Sequence, residues 1–88
     1  MQRLIKLPDK FLASEVDGEL ILVHGDTGAF FALKDMGLTI WRKLDDDAAL
    51  DSVCADLQME YEVSETQCQQ SVERFANELV EAGFAKFA

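Results

Sequence analysis

The side chains able to do chemistry are few and scattered. His24 is the only histidine among the 88 residues. With no second histidine and no nearby cysteine it lacks the ligand set of a zinc site. It also lacks the partners of a general base, and it reads as a strand-end residue. Cys54 and Cys68 are too far apart in sequence for a Cys-x-x-Cys motif, and they read as small buried hydrophobes of helices. Ser14, Ser52, Ser64 and Ser71 stand in no nucleophile motif. The run Asp45-Asp46-Asp47 could attract a cation, but it has none of the alternating spacing, central glycine and terminal glutamate of a calcium loop. It reads as a solvated helix start. No catalytic residue, metal site or cofactor is expected, and the chain is read as a non-enzyme.

Charge narrows the partners further. Asp and Glu number 17 against 8 Lys and Arg, a net charge of −9. Such a surface repels nucleic acid and anionic membranes. The longest apolar run, Leu20 to Val23, is far too short to span a bilayer. Arg3 and Lys6 are followed by no apolar stretch of the kind a signal peptide carries, so a cytoplasmic protein is expected. The length and the ordinary apolar content predict one domain over residues 1–88.

These side chains must be positioned by elements whose type changes near residue 34. Phe11 to Val16, Glu19 to His24 and Ala29 to Leu33 read as strands. Asp17-Gly18 joins the first two as a two-residue hairpin, since both turn positions want positive φ. Gly25-Asp26-Thr27-Gly28 is the second turn. Turns this short predict an antiparallel meander with the first and third strands at its edges. Asp35 is expected to cap a helix over Met36 to Leu44, striped by Met36, Ile40, Trp41 and Leu44. Asp45 to Asp47 is expected to end it and begin a helix over Ala48 to Glu60. Ser64 and Gln67 spell a capping box for a third helix over Glu65 to Ala82, stopped by Gly83. Phe84 and Phe87 are expected to fold back on the core as a short tail. The fold class is α+β: a three-stranded antiparallel sheet followed by three helices, a winged helix-turn-helix.

A winged helix suggests DNA binding, but the third helix carries Glu65, Glu73, Glu78 and Glu81 against a lone Arg74 and would repel phosphates. Asp51-Ser52-Val53 is similar to the phosphopantetheine site of acyl carriers. It falls inside a helix, however, and the leading strands do not suit a carrier. The third strand is harder to explain. Ala29-Phe30-Phe31-Ala32-Leu33 is wholly apolar, lies at a sheet edge, and has none of the Lys, Pro or charge that blocks edge pairing. Either a neighbouring helix covers it, or it receives a guest strand whose apolar anchors lie against the last helix.

Nearly the whole chain resembles the PqqD family. The resemblance is carried by the strands of Val16 to Leu33 with their Thr27-Gly28 turn, by Gly37 with Ile40-Trp41, by Leu57 with Tyr61-Glu62-Val63, and by Leu79 with Gly83-Phe84. Lys34 stands where the family usually has Asn, and Asp35 is expected to take over the capping role. The resemblance implies a recognition element that binds the leader of a ribosomally made precursor peptide as an added strand. Its partner would be a maturation enzyme: a radical enzyme using S-adenosylmethionine, a cyclase or a leader peptidase. The resemblance does not fix the side-chain contacts; the residues read as docking are Ala29, Phe30, Phe31, Ala32 and Leu33 on the strand. On the helix they are Gln69, Val72, Glu73 and Ala76. Phe31→Pro would test the strand by removing an amide donor. An unguarded edge could also pair with a second copy in a homodimer. The competing reading is a structural or regulatory winged-helix domain that uses its surface for other protein contacts.

Overall fold

The computed structural model describes residues 2–88. Its elements run β1 (Leu4–Lys6), β2 (Phe11–Val16), β3 (Glu19–His24), β4 (Phe30–Leu33), α1 (Asp35–Asp46), α2 (Leu50–Glu60), α3 (Glu65–Glu81) and β5 (Ala85–Phe87). The chain is an α+β fold whose three-stranded antiparallel sheet has the order β2-β3-β4. Asp17 and Gly18 have φ of 51° and 82°, the left-handed pair that a two-residue hairpin needs to match strand twist.

Two further strands, absent from the sequence reading, close the molecule. β1 and β5 pair antiparallel with Leu4 opposite Phe87 and Lys6 opposite Ala85. The expected tail is therefore a strand, and its partner is the other end of the chain. Arg3 adds a bridge to Ala49 at the start of α2.

Apolar faces of all three helices share one core with the inner face of the sheet. Leu22 and Leu33 from the sheet, Ile40 and Trp41 from α1, Leu57 from α2, and Val72 and Leu79 from α3 are all buried. Phe84 is fully buried and meets the rings of Phe11, His24 and Phe31 edge to face at 5.8, 5.9 and 6.0 Å.

Helix ends agree with the sequence at both ends of α3 and depart from it at the starts of α1 and α2. Ser64 Oγ accepts the Gln67 amide at 3.1 Å while Gln67 Oε1 accepts the Ser64 amide, so the capping box forms. Asp35 does not cap α1. It is itself the first helical residue, at φ 52°, and no side chain caps this end. The chain leaves β4 through a left-handed step there, which an aspartate tolerates better than most residues. Nor do the three acids open α2 together. Asp45 and Asp46 belong to the last turn of α1, and Asp45 pairs with Lys6 at 2.7 Å. Asp47 alone serves α2: its Oδ1 accepts the Ala49 amide at 2.9 Å. That bond and one from the Ser52 side chain hold its carboxyl below the usual aspartate range.

Gly83 ends α3 at φ +85°. A Cβ there would lie 2.8 Å from His24 Nε2 and 3.0 Å from Cδ2. Gly83→Ala therefore meets both a left-handed backbone penalty and a clash, and is expected to destabilise the fold by about 2–3 kcal/mol. Urea unfolding followed by circular dichroism checks this; an unchanged midpoint would contradict it.

Candidate functional site

The site begins with the turn that leads into β4. His24, the last residue of β3, is the one buried polar side chain among the described residues. Its Nδ1 accepts the backbone amides of Asp26 at 3.1 Å and Thr27 at 3.4 Å. Thr27 Oγ1 accepts the amide of Ala29 at 3.2 Å. The sole imidazole thus acts as a turn pin that aims β4.

The backbone phase of β4 follows from one bond. The His24 amide donates to the Ala29 carbonyl at 2.8 Å, so Ala29 points its carbonyl at β3. Polar groups alternate along an antiparallel strand. Phe31, opposite Leu22, and Leu33, opposite Leu20, therefore also bond to β3. Phe30 and Ala32 turn their amides and carbonyls away from β3, toward the open edge. β4 is the outer strand of its sheet.

Side chains alternate in the other direction. Phe31 is half-buried on the inner face and Leu33 is buried there. Phe30, 72% exposed, and the exposed Ala32 lie on the outer face. Ala29 is half-buried and precedes the strand.

Beside the open edge lies α3. Phe75 of α3 meets Phe31 edge to face at 6.5 Å, and a Cβ added at Gly37 of α1 would lie 3.5 Å from its ring. Phe31 and Phe75 form an aromatic floor between β4 and α3. Ser71 and Glu78, one turn to either side of Phe75, share its face of the helix. An open depression of about 500 Å³ lies on α3 itself, lined by residues of that helix alone from Gln70 to Glu81, and includes neither Phe75 nor any residue of β4.

The helix residues proposed from sequence distribute differently. Val72 and Ala76 have no exposed surface; they pack in the core and support the groove from within. Gln69 is half-buried and donates to Glu65 at 3.3 Å, one turn earlier on the same helix. Glu73 is exposed and lines the depression on α3. Phe75 is the residue that sequence reasoning missed. Its place in the apolar stripe was legible, but not the sheet edge beside it.

Elsewhere the chemistry is quiet. Cys68 Sγ lies 3.6 Å from the Cys54 carbonyl oxygen. Burial and the neighbouring Cys68 push the Cys54 thiol up to about 11, which leaves it protonated and unreactive near neutrality. Among the described residues no three His, Cys, Asp or Glu side chains gather to hold a metal ion. No helix among them is long and apolar enough to cross a membrane.

Against this geometry, the family model of coenzyme PQQ synthesis protein D matches residues 19–85, from the start of β3 into β5. The chain belongs to the PqqD family. Two solved structures share the fold of this PqqD-family chain. A lasso peptide synthetase B1 complexed with the leader peptide is 25% identical, at a TM-score of 0.84, over 96% of this chain and 98% of that one. TbiB1 in complex with the TbiA(beta) leader peptide is 23% identical, at a TM-score of 0.82, over 93% and 95%. No curated protein matches the sequence.

Proposed function

We propose that this PqqD-family chain is a non-catalytic adaptor. It binds the leader segment of a ribosomally made precursor peptide by strand addition at β4 and presents the rest of the peptide to a maturation enzyme. The observation that carries the reading is the open edge of β4, with the polar groups of Phe30 and Ala32 turned outward beside the Phe31–Phe75 floor. Each main-chain bond to a guest contributes roughly 0.5–1.5 kcal/mol net, and apolar side chains seated on the floor supply the selectivity. The B1 protein of similar fold, 25% identical, was itself solved with a leader peptide. The net charge of −9 suits a peptide better than a nucleic acid.

In this reading residues 1–88 act as one cytoplasmic recognition domain. α2 and α3 form the helix pair of a winged helix-turn-helix, and the β2–β3 hairpin is the wing. The enzyme served is a radical S-adenosylmethionine enzyme, a cyclase or a leader peptidase. The groove contacts are Phe30 to Leu33 with Phe75, Ser71 and Glu78.

The test is fluorescence anisotropy of a labelled leader peptide from the precursor encoded beside this chain. Saturable binding at micromolar Kd or tighter, lost when the peptide is scrambled, is expected. A flat titration with folded protein would overturn the reading.

A further inference from the structure

The outer face of the three-stranded sheet is apolar and uncovered. Strand alternation places Leu12, Ser14 and Val16 of β2, Glu19, Ile21 and Val23 of β3, and Phe30 and Ala32 of β4 on this one face. Leu12, Val23 and Phe30 stand in register and form a row across all three strands. They are 78%, 42% and 72% exposed, and Val16 at the hairpin end is 53% exposed. The only ionisable side chain among the eight positions is Glu19, in a chain of net charge −9. Helices cover only the opposite, inner face, so folding gives no reason for these residues to be apolar.

We infer that this outer face docks the enzyme that processes the captured peptide, so that the enzyme reads adaptor and leader on one continuous surface. The inference rests on strand addition at β4. A guest strand would extend the sheet by about 4.8 Å and place its own alternate side chains beside Phe30 and Ala32.

Area and charge argue for this occupant over a second copy of the chain. The exposed apolar patch is on the order of 400 Å², roughly half of what each partner gives to an ordinary stable interface. A partner that also covers the guest strand and its flanks makes up the difference. Two copies, each at −9, repel. The patch is bordered by Asp17 and Glu19 at the hairpin end, so the complementary surface is an apolar ridge with a basic group at that end. Because the enzyme would touch both components, it should bind the loaded adaptor more tightly than the empty one, and the coupling is reciprocal.

The experiment reconstitutes three components: this chain, the precursor encoded beside it, and the enzyme that processes that precursor. Leu12→Glu and Val16→Glu alter β2, the strand farthest from the open edge of β4, at exposed positions. Leader Kd is expected to stay within twofold of the wild-type value while the processing rate falls at least tenfold. Processing at the wild-type rate by variants that still bind leader would overturn the inference and leave strand addition standing. A wild-type chain that fails to bind leader would remove strand addition and this inference together. Sedimentation velocity supplies the last arm: a wild-type dimer that Leu12→Glu dissociates would assign the face to a second copy instead.

Discussion

Ala32→Pro is expected to lower leader affinity at least tenfold while leaving the fold intact. The Ala32 amide is turned away from β3, because the His24–Ala29 bond fixes the phase of the strand. Proline at this position removes a donor that the free protein does not use and puts ring carbon where a guest carbonyl would approach. The lost hydrogen bond accounts for about 0.5–1.5 kcal/mol, and the displaced guest backbone for more. Together these exceed the roughly 1.4 kcal/mol that corresponds to a tenfold change. No ladder bond is lost and Phe31 is already extended, so the unfolding free energy should change by under about 1 kcal/mol. Anisotropy with the labelled leader and a urea melt of the same sample read the two quantities separately. Unchanged affinity in a folded variant would remove β4 as the docking edge. Phe31→Pro cannot make this separation, since residue 31 bonds to β3 and its ring packs on Phe75 and Phe84.

The contrast between those two prolines marks where sequence reasoning ends. Composition and turn spacing identify β4 as an apolar edge strand, but the choice of alternate amides that face outward depends on hairpin register, and a one-residue shift inverts it. Local signals were legible. Asp17-Gly18, the Ser64–Gln67 box and the Gly83 stop each act within a few residues and stand where the sequence puts them. Signals that depend on distant partners were not. β1 and β5 are three residues each, and neither is recognisable without the other end of the chain beside it. Asp35 has the composition of a cap, but the exit path from β4 forces it into a left-handed conformation inside the helix. On α3, periodicity reveals the apolar stripe of Cys68, Val72, Phe75 and Leu79, with Ala76 and Val80 beside it. It does not reveal the part of that stripe that faces the sheet edge. Gln69 lies beside the stripe and Phe75 within it, and the contact of Phe75 with Phe31 is what sets it against β4.

Phe84→Ala is expected to be the most damaging single truncation, costing about 3–5 kcal/mol. Phe84 is fully buried, and its ring is shared by Phe11, His24 and Phe31. Its backbone is engaged as well: its amide donates to the Leu79 carbonyl at 2.9 Å, and its carbonyl accepts the Leu7 amide at 2.9 Å. The ring therefore joins β2, β4, the His24 turn and the end of α3, and no neighbour can collapse into its space without releasing one of them. A small domain has only about 5–15 kcal/mol of total stability, so the loss should be plain as a fall in the urea midpoint. Function should respond even under conditions where the variant stays folded. Phe31 would lose the ring behind it while keeping Phe75 beside it, so the groove floor loosens. Leader affinity should then fall by a smaller factor than in Ala32→Pro, which acts on the edge directly. Phe84→Leu, which keeps most of the volume, should recover the greater part of both losses. Affinity that stays at the wild-type value in folded Phe84→Ala would show that the groove floor does not depend on this packing.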